Sequence, residues 1–133
     1  MNQRALPPLV VADPDPAWQH QMMLLLQRDF HCYPASTLHE AVQAIERVHP
    51  VLLIMELNQP DGDGFALIHY LQASPELRRI LIACVTTRSA ITDKVRAIRA
   101  GVDDYIVKPP DAVTFAGRMV MLRRLGHMAR SYA

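Results

Sequence analysis

Apolar and polar positions fall into alternating blocks along the chain. Leu9–Ala12, Val51–Met55, Ile80–Val85 and Tyr105–Val107 are short, almost wholly apolar runs. Runs of this length between turn-forming residues suit strands buried on both faces. A weaker strand falls near His31–Tyr33. The intervening segments repeat their apolar residues at helical spacing. Trp18, Met22, Leu25 and Leu26 mark a helix running to about Arg28. Leu38, Ala41, Val42, Ile45 and Val48 mark a second, ending before Pro50. Phe65, Ile68 and Leu71 mark a third, ended near Ser74-Pro75. A fourth covers about Thr92 to Ala100, and a fifth turns Val113, Phe115, Val120 and Leu122 inward. The punctuation agrees with this reading. Asp15, Thr37 and Asp111 are suited to cap helix N-termini, Pro16 fits a first helical turn, and Gly101 fits a C-terminal stop. Strands alternating with helices predict a doubly wound five-stranded parallel sheet with helices on both faces.

The 133 residues fit one domain, with a core over about Leu9 to Leu125 and a tail or linker start over 126–133. Hydrophobic residues make up 50% and charged residues 20%, which excludes a disordered chain. A formal net charge of +1 gives no reason to expect direct nucleic-acid binding. Met1 to Pro8 lacks an export pattern, and no apolar stretch approaches the roughly 18 residues needed to span a bilayer. A cytoplasmic location is expected, with Cys32 and Cys84 as reduced core thiols. The six histidines show no metal-ligand spacing with cysteine. Asp61-Gly-Asp63-Gly64 lacks the downstream glutamate of a calcium loop and reads as a turn. Met22, Met23, Met119, Met121 and Met128 read as core filler or pliable surface.

Asp13, Glu56, Thr86 and Lys108 each fall just after a predicted strand. In an open parallel sheet, groups at the carboxyl ends of strands meet in one crevice at the topological switch point. The four side chains are therefore expected to converge.

The segments Val10-Val-Ala-Asp-Pro-Asp-Pro16, Leu53-Ile-Met-Glu-Leu-Asn-Gln-Pro-Asp-Gly-Asp-Gly64, Cys84-Val-Thr-Thr87 and Ala100-Gly-Val-Asp-Asp-Tyr-Ile-Val-Lys-Pro109 together resemble the response-regulator receiver domain, over about Leu9 to Leu125. The resemblance implies a flavodoxin-like (βα)5 sheet in the order 2-1-3-4-5. It implies a part in two-component signalling, in which a histidine kinase phosphorylates an aspartate after the third strand. By this resemblance Glu56 holds the phosphoacceptor position. Thr86 and Tyr105 are the switch residues, Lys108 binds phosphate, and the main-chain carbonyl of Asn58 faces the metal. The metal-binding acidic pair is degenerate. Aligning on Pro16 gives Asp13 and Pro14, the preferred register; aligning on the strand gives Ala12 and Asp13. Either leaves one acid of two, and Asp15 replaces the lost ligand only if it does not cap the helix.

These departures set the expected chemistry. Glutamate carries its carboxylate roughly 1.3–1.5 Å further than aspartate. Misplacement on that scale costs about a hundredfold in an in-line transfer. A remnant Mg²⁺ site of Asp13, Glu56 and Asn58 is expected to bind weakly at most, because Mg²⁺ demands near-ideal octahedral oxygens. No other cofactor is expected. The reading is an atypical, phosphorylation-independent receiver, not an enzyme, that works by protein–protein interaction with a signalling protein or output domain. A Glu56–Lys108 pair either mimics part of the phosphorylated state or holds the inactive one. Arg96, Arg99, Arg118, Arg123 and Arg124 make the second half basic. The family's output face lies on the fourth helix, fifth strand and fifth helix, where these arginines suit an acidic partner or a second protomer. Two other readings stay open. One is a working receiver, accepting phosphate on Glu56 or a nearby aspartate. The other is a flavodoxin-like FMN-binding or enzymatic domain. The latter needs a Ser/Thr/Gly-rich cradle after the first strand, where this chain has Asp-Pro-Asp-Pro.

Overall fold

The structure is a computed structural model that describes residues 5–131, with side chains described as far as residue 126. The elements run β1 (Pro8–Ala12), α1 (Pro16–Leu26), β2 (His31–Ala35), α2 (Leu38–Val48), β3 (Leu52–Met55), α3 (Phe65–Gln72), β4 (Leu81–Thr86), α4 (Ile91–Ala100), β5 (Asp104–Val107) and α5 (Ala112–Ser131). A two-residue antiparallel ribbon, Asn58–Gln59 against Gly62–Asp63, lies between β3 and α3. The five main strands form one parallel sheet in the order β2-β1-β3-β4-β5. This is the doubly wound arrangement that the alternating pattern predicts.

Period-two alternation along the strands divides the core between the two sheet faces. Val10, Leu53, Met55, Ile82 and Cys84 pack on one face with Ala41, Ile45, Phe65, Ile68, Leu71 and Ala97 from α2, α3 and α4. Leu9, Val11, Leu52, Ile54, Ala83 and Val85 pack on the other with Met22, Leu26, Phe115, Met119 and Leu122 from α1 and α5. Burying each such side chain contributes about 1.5–3 kcal/mol before entropy is set against it. Both cysteines are free, Cys84 buried and Cys32 half-buried. Burial pushes their thiols up, to about 12 and about 11 respectively.

The caps sit where the sequence predicts them. Asp15 accepts from the Ala17 amide at 3.0 Å, Thr37 from Glu40 at 3.0 Å and Asp111 from Thr114 at 2.9 Å. Gly101 closes α4 with a left-handed φ of 116°, a conformation that favours glycine. Two features of α5 differ from the prediction. Val113 is 82% exposed, and Met119 takes the core position between Phe115 and Leu122. Residues 115, 119 and 122 follow the i, i+4, i+7 stripe of one helix face, which residue 113 cannot join. The helix also passes through Gly126 and continues to Ser131. Gly126 is a point of close approach: a Cβ there would lie 2.7 Å from Leu81 Cδ1. Of the methionines, Met22 and Met119 are core, Met121 is exposed, and the Met128 side chain lies outside the described residues.

Candidate functional site

Parallel pairing brings the strand ends level. Ala12, the last residue of β1, pairs with Met55, the last of β3, and the Glu56 amide donates to the Ala12 carbonyl at 3.0 Å. Asp13 and Glu56 therefore leave the sheet side by side. Thr86 ends β4, and Lys108 follows β5, its amide bonded to the Thr86 carbonyl at 2.9 Å. The Lys108–Pro109 peptide is cis.

All four side chains meet. Lys108 Nζ lies 2.7 Å from Asp13 Oδ2 and 3.3 Å from Glu56 Oε1. Asp13, Glu56 and Thr86 are all buried. The Thr86 hydroxyl donates to Glu56 Oε2. The main-chain amide of Asn58 donates to the same oxygen at 3.1 Å, and that of Thr87 donates to Oε1 at 3.1 Å. The Glu56 carboxylate is thus held by a hydroxyl, two amides and an ammonium. Burial pushes its pKa up, but the Thr86 hydroxyl, the Asn58 and Thr87 amides and the Lys108 charge outweigh burial, and the net shift is downward. The group is an anion in a crevice built of donors.

Asp13 is doubly engaged, since its Oδ1 also accepts from the Asp15 amide at 2.9 Å. Asp15 does not join the cluster. It is exposed, and its Oδ1 is taken by its capping bond. Tyr105 is 6% exposed, and its hydroxyl donates to the Arg88 carbonyl at 2.9 Å. Burial, before the neighbouring charges, pushes that phenol up to about 12. The Trp18 ring lies 5.5 Å from Lys108 Nζ and is the chain's sole tryptophan.

Several contributors are not visible in the sequence pattern. The Gln59 amide nitrogen ties the strand ends together, donating to the Glu56 carbonyl at 2.7 Å and the Ala12 carbonyl at 3.1 Å. This leaves its own oxygen buried without a partner. Asp61, read as a turn residue, also caps α2 from a distance: its carboxylate accepts from the Leu38 and His39 amides at 2.8 and 3.0 Å. Asn58 contributes a side chain as well as backbone, with its Nδ2 donating to Thr87 Oγ1 at 3.1 Å. Arg88 spans the same gap. Only a main-chain path that folds two loops onto each other makes these residues neighbours, and no periodicity encodes that.

A parallel sheet of this order, with an acid, a hydroxyl and a lysine gathered at its carboxyl edge, defines a receiver-type signalling module. The chain belongs to the response regulator receiver domain family, which matches residues 9–118. It is 30% identical over 122 residues to the phosphate regulon transcriptional regulatory protein PhoB of Escherichia coli, covering 91% of this chain and 53% of that protein. It is 32% identical over 102 residues to the transcriptional regulatory protein PmrA of Pectobacterium parmentieri, covering 76% and 45%. The chain thus spans about half the length of these curated relatives. Among solved structures, the signal receiver domain of a signal transduction histidine kinase from Syntrophus aciditrophicus matches with a TM-score of 0.80 at 27% identity, covering 89% of this chain and 90% of that one. A CheY-like response regulator receiver domain protein from Methanospirillum hungatei shares the fold, with a TM-score of 0.83 at 20% identity and 94% and 99% coverage.

Proposed function

We propose that this receiver domain of two-component signal transduction works without phosphoryl transfer, with Glu56 as a standing partner of its switch residues. The observation that carries the reading is the donor set on Glu56. The Thr86 hydroxyl, Lys108 and the two loop amides all bond the carboxylate. In the family, the hydroxyl and the lysine serve the phosphoryl group. Here the longer side chain already occupies them, with Tyr105 turned in and bonded to the Arg88 carbonyl. That arrangement favours the active-like alternative over the inactive one.

Mg²⁺, the cation the family implies, is poorly served by these residues. Both Glu56 oxygens and both Asp13 oxygens already accept from protein donors. Neither Pro14 nor Ala12, the residues beside Asp13 in the two registers, offers a carboxylate, and the described residues hold no group of three His, Cys, Asp or Glu suited to a metal. An octahedral cation would have to displace Lys108, and the lysine's positive charge opposes it.

The chemistry is therefore assigned to binding, not catalysis. The surface that supports this is on α4, β5 and α5, where Ile91, Val95, Ile98, Val107, Val113, Met121 and Leu125 are exposed beside Arg99, Arg123 and Arg124. Arg96 and Arg118 are committed within the chain: Arg96 lies 3.7 Å from the Phe65 ring centroid, and Arg118 bonds Asp104 at 2.9 Å. A protein partner with an apolar, acidic face fits this surface. Among the described residues no helix is long and apolar enough to cross a membrane.

The decisive experiment exposes the chain and its Glu56→Asp variant to acetyl phosphate and, separately, to beryllofluoride, each with Mg²⁺. Intact mass and Trp18 emission are the readouts. The native chain is expected to show no Mg²⁺-dependent shift and to gain phosphoryl mass at least about a hundredfold more slowly than Glu56→Asp. Labelling of the native chain at the variant's rate would instead establish a working receiver.

A further inference from the structure

α4 and the loop that leads into it are thinly anchored. Ala97 is the helix's one buried residue, and Thr87, Ser89 and Ala90 are all exposed. A segment with so little buried apolar surface opens readily unless polar contacts hold it. Those contacts concentrate on Arg88. Its amide donates to Thr86 Oγ1 at 3.2 Å, the hydroxyl that bonds Glu56. Its carbonyl accepts from the Tyr105 hydroxyl at 2.9 Å. Its guanidinium reaches across to the β3–α3 loop, donating from Nε to Asn58 Oδ1 at 2.8 Å and from Nη2 to Asp63 Oδ2 at 3.3 Å, and lies 3.8 Å from Asp93 in the first turn of α4. Asn58 returns the bond, its Nδ2 donating to Thr87 Oγ1 at 3.1 Å. One residue thus touches the site hydroxyl, the switch tyrosine, the opposite loop and α4.

We propose that Arg88 is a positioning residue, a strap that fixes the β4–α4 loop over the Glu56 site and couples that site to Tyr105 and the α4 face. The guanidinium does from outside what the carboxylate does from inside: it pins the loop to the end of β3. Because the strap is made of half-exposed charge-assisted bonds, a partner presenting a carboxylate to Arg88 can compete for it and release the loop. Exposed ion pairs are individually weak, so the strap is releasable without unfolding the domain.

The inference rests on the reading of Glu56 as a standing partner of Thr86. Its test is backbone hydrogen exchange across residues 86–90, with the NMR ring signals of Tyr105, on the full chain without phosphodonor. Arg88→Ala and Asn58→Ala are each expected to speed exchange of the loop amides at least tenfold and to change the Tyr105 signals. Arg96→Ala, which removes the cation 3.7 Å from the Phe65 ring centroid, is expected to leave both as in the native chain. A urea midpoint close to native in Asn58→Ala separates release of the strap from general unfolding. Unchanged exchange and unchanged Tyr105 signals in both strap variants would overturn the proposal, as would equal loosening by Arg96→Ala. Phosphodonor labelling is a separate readout. A labelled chain with a strap-dependent loop overturns the standing-partner reading alone, and an unlabelled chain with an Arg88-independent loop overturns the strap alone.

Discussion

At the scale of the residue, the proposed role of Glu56 turns on one methylene. The extra reach carries the carboxylate onto the Thr86 hydroxyl and the Thr87 amide and keeps it within 3.3 Å of Lys108. The four strand-end side chains were legible in the sequence because strand ends of a parallel sheet must share an edge. Thr87, Arg88 and Gln59 were not, because their roles depend on the path of two loops. The donor set has a consequence for acid stability. Glu56 titrates below its ordinary value of 4.5 in the folded chain. The unfolded chain therefore binds this proton more readily, and stability rises with pH across that range. The contribution is complete above the unfolded value and is lost as pH falls through the folded one. Asp61, Asp63 and Asp111 are also shifted down and add their own slopes, so a variant must isolate Glu56. Glu56→Gln is expected to cost about 1–3 kcal/mol at neutral pH, since it leaves buried donors poorly matched. Its urea midpoint is expected to fall less than the native one between about pH 5 and pH 3. Parallel pH slopes for the two proteins would count against the pairing.

At the scale of the element, alternation and caps carried most of the information. The strands of β1, β3 and β4 were legible as apolar runs, and Thr37, Asp15 and Asp111 fixed three helix starts. α5 departs from the reading of its sequence in two ways. It has apolar residues all round, with Val113, Met121 and Leu125 exposed as well as Phe115, Met119 and Leu122 buried, so composition could not select its inner face. The segment from Gly126 on read as a tail or linker start, whereas the helix runs through it to Ser131 and the glycine's missing side chain makes room for Leu81. The contrast between faces is measurable. Phe115→Ala is expected to destabilise the domain by about 3–5 kcal/mol, as loss of a buried aromatic does. Val113→Ala is expected to change stability by no more than about 0.5 kcal/mol. Chemical denaturation of the two variants checks the register of α5. Similar losses at both positions would rotate the helix relative to the sheet.

At the scale of the molecule, the unevenness of the surface matters more than the net charge of +1. Most of the large hydrophobic side chains left exposed lie on α4, β5 and α5, with Leu6 and Leu24 the exceptions among the described residues. Scattered single apolar residues need no explanation, whereas a group gathered on a few elements is the pattern expected of the proposed interaction site. The exposed arginines there, Arg99, Arg123 and Arg124, which make no ion pair among the described residues, would add a charge that selects a partner more than it strengthens binding. A second copy of the chain would meet the apolar residues symmetrically but would bring like charges together at the rim. Self-association through this face should therefore be weak at low ionic strength and strengthen as salt screens the arginines, whereas an acidic partner should bind more weakly as salt rises. Sedimentation velocity over a range of chain and salt concentrations separates the two. The expected result is a chain largely monomeric at low salt, with any dimer appearing at high salt and abolished by Ile98→Asp. A dimer that is tight at low salt and indifferent to Ile98→Asp would place the interface elsewhere and leave the apolar residues of α4 without the role assigned to them.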